Sequence, residues 1–470
     1  MSQRLPATPA PGPLEAYCAH FDPLFGRLNQ REGFRRYLEG LLLPQERSKT
    51  LTALANAQPI VGAQNPSVQS LQWFLSESDW DQEAFNTRRL ALLQEDPQTA
   101  PHSQGVLVLD ETGDRKDGTK TAHVGRQYLA NVGKVDNGVV SVTSLWADAR
   151  IYYPLSFEPY TPAHWFAKGK SDPQFRTKPQ IALELVGRAL QTGIPFRAVV
   201  ADSVYGENEA FRCGLDKEKV GYVLALKPSH AWWHREGTLG SLGEAAQAAA
   251  WKGAEQPGDW SKVVRGFGDG HQEDWWVLEV VAGPYGPDKA LRGVIATTDP
   301  QRLPDSSTWY LVTNLAAPGS PRAKEDELAP ADLAEIVGLY GWRVWVEQSY
   351  KQVKHSLGWA QYQVRSDRAM RRHWQLVCCA FSFCWWHQSH APEEKRVSGV
   401  AAEVLIEDSA CLEEAGREKK GARAKRLPPP GVLAGGVTGS ARLAGALGYA
   451  VALLGGVVGS APAAGVGAAA

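Results

Sequence analysis

Two short apolar runs that each close on an aspartate constrain this chain more than any other feature. The first is "GVLVLDETG", closing on Asp110, and the second is "FRAVVADSVYG", closing on Asp202. Continuous apolar runs of this length beside a turn read as strands buried on both faces. Two further β-rich runs, "VDNGVVSVTSLWA" and "RIYYPLSFEPY", follow the first closely enough to form a meander with it, and a helix fits "KPQIALELVGRALQTG". A polar helix beginning near Glu207 and a fifth strand, "GYVLALKPS", complete the series. The order of elements predicts an α/β arrangement, a mixed sheet with flanking helices. Acids at the carboxyl ends of strands in such a sheet are well placed for chemistry.

The flanking sequence divides the chain further. Apolar residues recur at helical spacing from Leu14 to about Gln94, predicting a helical domain over 1–100 that precedes a core beginning at 101–229. Residues 230–330 break the rhythm with Gly, Pro and the pairs Trp232-Trp233 and Trp275-Trp276, and read as a β-rich insertion. Helical periodicity resumes over 331–395, which is expected to complete the core, and 396–470 form a low-complexity tail. Net charge is only −1, so a surface for a polyanion must come from local segregation. Such a segregation exists after Gln348, where Lys351, Lys354, Arg365, Arg368, Arg371 and Arg372 face only Asp367 before His390. Six cysteines are too sparse for a disulfide framework, and the Pro-interrupted N-terminus lacks the apolar run of a signal peptide, so a cytosolic protein is expected.

The two strand-end acids invite a third. Hard divalent cations take oxygen ligands, and a pair of them can activate water for phosphodiester chemistry; equally, strand-end aspartates can simply cap turns. Tyr340, Arg343, Glu347 and Lys354 sit at offsets of 0, 3, 7 and 14. On one straight helix, at about 100° per residue, all four fall within roughly 60° of one another. That face would suit a metal-bound phosphate, with Glu347 as ligand, Arg343 and Lys354 on phosphate oxygens and Tyr340 as donor, or it is a solvated face with ordinary ion pairs. A second phosphate motif fails: "GDRKDGTK" places Thr119 before Lys120, the reverse of a phosphate-cradling loop, and no clear amphipathic helix follows. Cys378, Cys379, Cys384 and His387 sit in the apolar run "WQLVCCAFSFCWW" without paired spacing, which reads as a buried helix and not a zinc site.

The spacing Tyr340-x2-Arg343-x3-Glu347-x6-Lys354 resembles the Tyr-Arg-Glu-Lys signature of DDE-type insertion-sequence transposases, and "VLVLDET" and "VVADSVYGEN" resemble that family's other two catalytic segments, in the right order. Over about residues 100–390 the resemblance implies a ribonuclease H-like fold with a β-rich insertion between the second and third acids. It implies Asp110, Asp202 and Glu347 as catalytic and metal-binding residues for two Mg²⁺ ions, with Mn²⁺ able to substitute. It further implies Tyr340, Arg343, Lys354, Lys351 and Arg126 as DNA-binding residues, a homodimer on paired element ends, and DNA rather than a membrane as partner, at the nucleoid when bound. The first hundred residues would be the end-recognition module, and an insertion tryptophan could stack on an extruded base. A nuclease without strand transfer, or an inactive DNA-binding relic, are the alternatives.

The tail stands apart. All 17 Trp lie at or before Trp386, and no charge follows Arg442. From about Pro430 the chain reads as a frame-shifted or otherwise altered end, since synonymous codons permit a Trp-rich amphipathic segment one base downstream. A membrane tail or a flexible low-complexity tail is the alternative.

Overall fold

The computed structural model describes residues 5–44, 47–57, 64–266, 271–286 and 290–390. Expectations for the tail, 396–470, lie outside them. The chain divides into two units, one drawn from residues up to Thr99 with Gln352–Val364 and the chain from Arg368, the other from Ala100–Lys351 with Arg365–Asp367. The boundary at Lys351 therefore falls inside the 331–395 segment that periodicity assigned whole to the core.

The first unit is helical: α1 (Pro13–Ala19), α2 (Leu28–Leu42), α3 (Leu51–Leu54), α4 (Pro66–Ser76), α5 (Gln82–Glu95), a π-helical turn (Gln352–Ser356) and the long closing helix (Asp367–His390). Phe21, Phe25, Phe34, Phe74, Trp80 and Phe85 form its aromatic core, Phe74 and Trp80 stacked at 5.4 Å. The closing helix is buried without interruption from Arg372 to Trp386, as expected for a helix apolar on all sides. Arg372 donates to the carbonyls of Leu75, Ser78 and Trp80 at 3.2, 2.7 and 2.6 Å. Arg372 is thus a structural cation and leaves the basic set read from sequence. Burial pushes the Cys378 thiol up to about 11 and those of Cys379 and Cys384 up to about 12, so all three stay protonated.

The second unit is built on β1 (Val106–Arg115), β2 (Gly125–Leu129), β3 (Lys134–Ala147), β4 (Tyr152–Tyr160), β5 (Ala198–Ala201) and β6 (Tyr222–Ala225). The long β3 pairs antiparallel with β1 along one edge, and with β2 and β4 along the other. β5 lies parallel to both β1 and β6, with helices α6 (Lys178–Gln191), α7 (Ser203–Gly206) and α8 (Glu209–Lys217) supplying the crossovers. This is the mixed sheet with flanking helices that the strand order predicts.

The insertion adds the hairpin β7 (Ala231–Trp233) and β8 (Leu239–Ser241), helix α9 (Leu242–Ala248), and strands β9 (Ser261–Gly266), β10 (Gln272–Val281), β11 (Arg292–Thr297) and β12 (Thr308–Thr313). The last four do not form a sheet of their own. β12 pairs antiparallel with β6, and β11, β10 and β9 follow outward, so the sheet has 10 strands. The edge of β6 is a row of unpaired backbone groups, and the insertion satisfies it. The helical stretch that follows is likewise not one rod. It breaks into α10 (Leu333–Gly341) and α11 (Val344–Lys351), joined by a tight turn in which Arg343 N–H donates to Tyr340 C=O and Val346 N–H to Arg343 C=O. No helix among the described residues is long and apolar enough to cross a membrane.

Candidate active site

Register places the two aspartates. Leu109 on β1 is the parallel partner of Ala201, the last residue of β5; Asp202 is the first residue beyond that strand, whereas Asp110 is not at the strand end expected from sequence, since β1 continues to Arg115 in its pairing with β3. Asp110 is buried, and its Oδ1 accepts the Glu111 N–H at 2.7 Å. Asp202 is the N-cap of α7, accepting the Val204 N–H at 3.0 Å, so the turn-capping role weighed from sequence is present. The Gly in "DSVYG" has a steric reason: a Cβ on Gly206 would collide with the Ala225 carbonyl oxygen of β6.

The α10–α11 turn brings the remaining groups. Arg343 Nη2 donates to Asp110 Oδ2 at 2.9 Å, while its Nη1 lies 3.5 Å from Glu347 Oε1. The side chain of Glu347 is 60% exposed, whereas that of Arg343 is only 20% exposed. Burial pushes the Asp110 carboxyl up to about 6; the Arg343 charge opposes this and the neighbouring Asp202 charge adds to it. Burial also raises Tyr340, to about 12, against the Arg343 charge and with help from Asp202, Asp110 and Glu347, so it remains a phenol able to donate. Arg343 is itself held well above its ordinary value: desolvation opposes its charge, but Asp110, Tyr340, Asp202 and Glu347 together outweigh it. Tyr340, Arg343, Glu347, Asp110 and Asp202 therefore form one electrostatic cluster. They meet through the tight turn, not through the straight-helix phase inferred from sequence.

Several supporting residues carried no sequence signal. Trp345 is fully buried, stacks on Tyr152 at 4.6 Å and 15°, and donates its Nε1–H to the Asp148 carbonyl at 2.9 Å, fixing the helix that carries Glu347. Tyr350 shares a 2.6 Å hydrogen bond with Thr143, the antiparallel partner of Asp110. Lys178, at the start of α6, pairs with Glu111 at 2.7 Å. On the insertion side Tyr340 packs edge-on against Trp309, with Trp275 at 4.3 Å from Trp309 and the Arg265 guanidinium 4.8 Å from both indole rings. A polar residue inside an apolar strand, Thr143, is the one cue that could have pointed here. Of the tryptophan pairs, Trp232, Trp275 and Trp276 are buried and so belong to the packing of the insertion.

The remaining candidates are spread over the chain. Arg126, on β2, and Lys351, at the end of α11, are exposed; Lys354 falls in the π-helical turn of the first unit. The "GDRKDGTK" segment runs from the end of β1 toward β2, and His123 beyond it is held between Thr161 at 2.7 Å and Asp367 at 2.6 Å.

Three carboxylates with hard oxygen donors suit Mg²⁺ or Mn²⁺, and crowding beside Asp202 helps keep the buried Asp110 protonated up to about pH 6, the situation a bound cation relieves. At present the neighbouring cation is Arg343. Among the described residues no three His, Cys, Asp or Glu side chains stand close enough to hold one ion as they are. The donor set fits the metal, and Arg343 bridges two of its members.

Comparison with known proteins identifies the family. The family model described as DDE superfamily endonuclease matches residues 20–273, a span that includes Asp110 and Asp202. The probable transposase for insertion sequence element IS701 of Microchaete diplosiphon is 34% identical over 365 residues, covering 77% of this chain and 85% of the relative. With a matching family model over half its length, that relative, and a mixed sheet consistent with the ribonuclease H-like fold, the chain belongs to the DDE-type insertion-sequence transposases.

Proposed function

We propose that this transposase cleaves the ends of its own mobile element and joins them to target DNA, with Asp110, Asp202 and Glu347 as the catalytic carboxylates. The observation that carries the reading is the parallel register of β1 and β5, which sets Asp110 beside Asp202, together with the Arg343 bridge from Asp110 to Glu347. Two divalent cations, Mg²⁺ or Mn²⁺, bound by these acids would supply water activation and stabilisation of the leaving oxygen. The chain's own residues do the rest. Burial of Asp110 keeps the local dielectric low, which strengthens every charge interaction there. Arg343 engages a phosphate of the cut end and Tyr340 donates a hydrogen bond beside it, while Lys351, Lys354 and Arg126 contact the backbone without reading sequence.

In this reading residues 1–100 recognise the element ends, the sheet and its β-rich insertion carry the chemistry, and two copies pair two ends in the cytoplasm. The test is a set of purified variants. Asp110→Asn, Asp202→Asn and Glu347→Gln should each abolish Mg²⁺-dependent cleavage of a duplex carrying the inverted repeat that flanks the encoding gene, with binding nearly intact. Retained cleavage in any one removes that residue from the set. Cleavage by the unaltered chain with no joined product in a strand-transfer assay would instead support the nuclease alternative.

A further inference from the structure

We infer that Arg343 is a latch that occupies the carboxylates until a DNA phosphate takes it away, so that metal binding and end binding are coupled through this one side chain. The inference rests on the catalytic reading above and adds a second, competing role for Arg343. Its guanidinium spans two of the three acids, 2.9 Å from Asp110 and 3.5 Å from Glu347. A guanidinium in that place supplies the positive charge that a divalent ion would supply, and like charges within a few Å oppose each other strongly where water is scarce. Arg343 is also only partly satisfied: its buried Nε has no hydrogen-bond partner. A planar fork with one donor free is suited to bidentate capture of a phosphate, which offers several acceptor oxygens where each carboxylate offers two.

The side chain therefore has two kinds of anionic partner and cannot serve both fully. On Asp110 and Glu347 it neutralises the acids and keeps them apart from a metal. On a phosphate it leaves both carboxylates free to ligate. Linkage then requires reciprocity: if an end phosphate tightens metal binding by some factor, metal tightens end binding by the same factor. The latch gives the molecule a reason not to bind metal productively before a DNA end is present, and all of its parts lie within one unit of the structure.

The test measures binding, not turnover. Mn²⁺ affinity of the full-length chain is followed by electron paramagnetic resonance, without DNA, for the unaltered protein and for Arg343→Gln, with circular dichroism to verify folding. Arg343→Gln should bind Mn²⁺ tighter by about tenfold or more, the scale on which neighbouring charges shift ionic equilibria. Should that variant fail to fold, the unaltered chain still decides. The inverted-repeat duplex should tighten its Mn²⁺ binding, and Mn²⁺, read before cleavage begins, should tighten duplex binding by the same factor. Equal Mn²⁺ affinity in folded Arg343→Gln and the unaltered chain, or no effect of duplex on Mn²⁺ affinity in the unaltered chain, overturns the latch. Neither result touches the catalytic reading, which fails only if the carboxylate variants still cleave.

Discussion

Replacing Trp345 should separate fold stability from placement of the signature helix. Its side chain is buried to 1% exposure, stacks on Tyr152 and donates to the Asp148 carbonyl. Trp345→Ala removes a large buried ring and leaves a cavity, for which about 3–5 kcal/mol is expected. Trp345→Phe keeps an aromatic face against Tyr152 but loses the indole hydrogen bond and strands a buried carbonyl, at roughly 1–3 kcal/mol. The order Phe milder than Ala follows because the stack itself contributes about 0.5–1.5 kcal/mol beyond burial. Urea denaturation followed by tryptophan fluorescence and circular dichroism measures both, and cleavage is assayed well below the denaturation midpoint. Glu347 is two residues away on α11, so the Phe variant should retain cleavage, whereas the Ala variant should lose cleavage even while folded. A Trp345→Ala protein destabilised by less than about 1 kcal/mol, or a Phe variant as damaged as the Ala one, would refute the claim that this ring anchors the helix.

Other outcomes follow from particular residues. Arg372→Ala strands the carbonyls of Leu75, Ser78 and Trp80 and should cost about 3 kcal/mol or more in urea titration, because hydrogen bonds from a charged donor are the strong ones; the salt dependence of DNA binding should not change. Arg126→Ala should reduce the slope of log affinity against log salt by about one, since one phosphate contact is lost, with the maximal cleavage rate unchanged. The Asp110 carboxyl, pushed up to about 6 by burial, holds a proton that the unfolded chain has already released, so in chelator-treated protein stability should fall as pH rises from the ordinary carboxyl range to about 6. Asp110→Asn should flatten that part of the pH profile, and an unchanged profile would show that burial does not govern this carboxyl.

What the sequence determined by itself was local. An apolar run must be covered on both faces, so "VLVLD" and "VVAD" were legible as strands carrying acids, and the Tyr340, Arg343 and Glu347 spacing was legible as one constellation; that β1 continues past Asp110 to Arg115 instead of ending there was not. Periodicity also identified the buried helix around Cys378, because a helix apolar on every side has nowhere else to go. Tertiary structure decided whatever depended on partners distant in sequence. The hydrophobic pattern of β9 to β12 specifies strands but not their neighbours, and only the open edge of β6 made them part of the same sheet. Periodicity ran smoothly through Gly341 and Trp342, yet the chain turns there, and that turn brings Arg343 to Asp110. Arg372 and Arg126 are the same residue type, but one is enclosed by backbone carbonyls and the other faces solvent. Charge in a sequence is a count; whether it binds DNA, caps a helix or restrains a metal site is set by which groups the fold brings within about 4 Å of it, where Coulomb and hydrogen-bond energies become decisive.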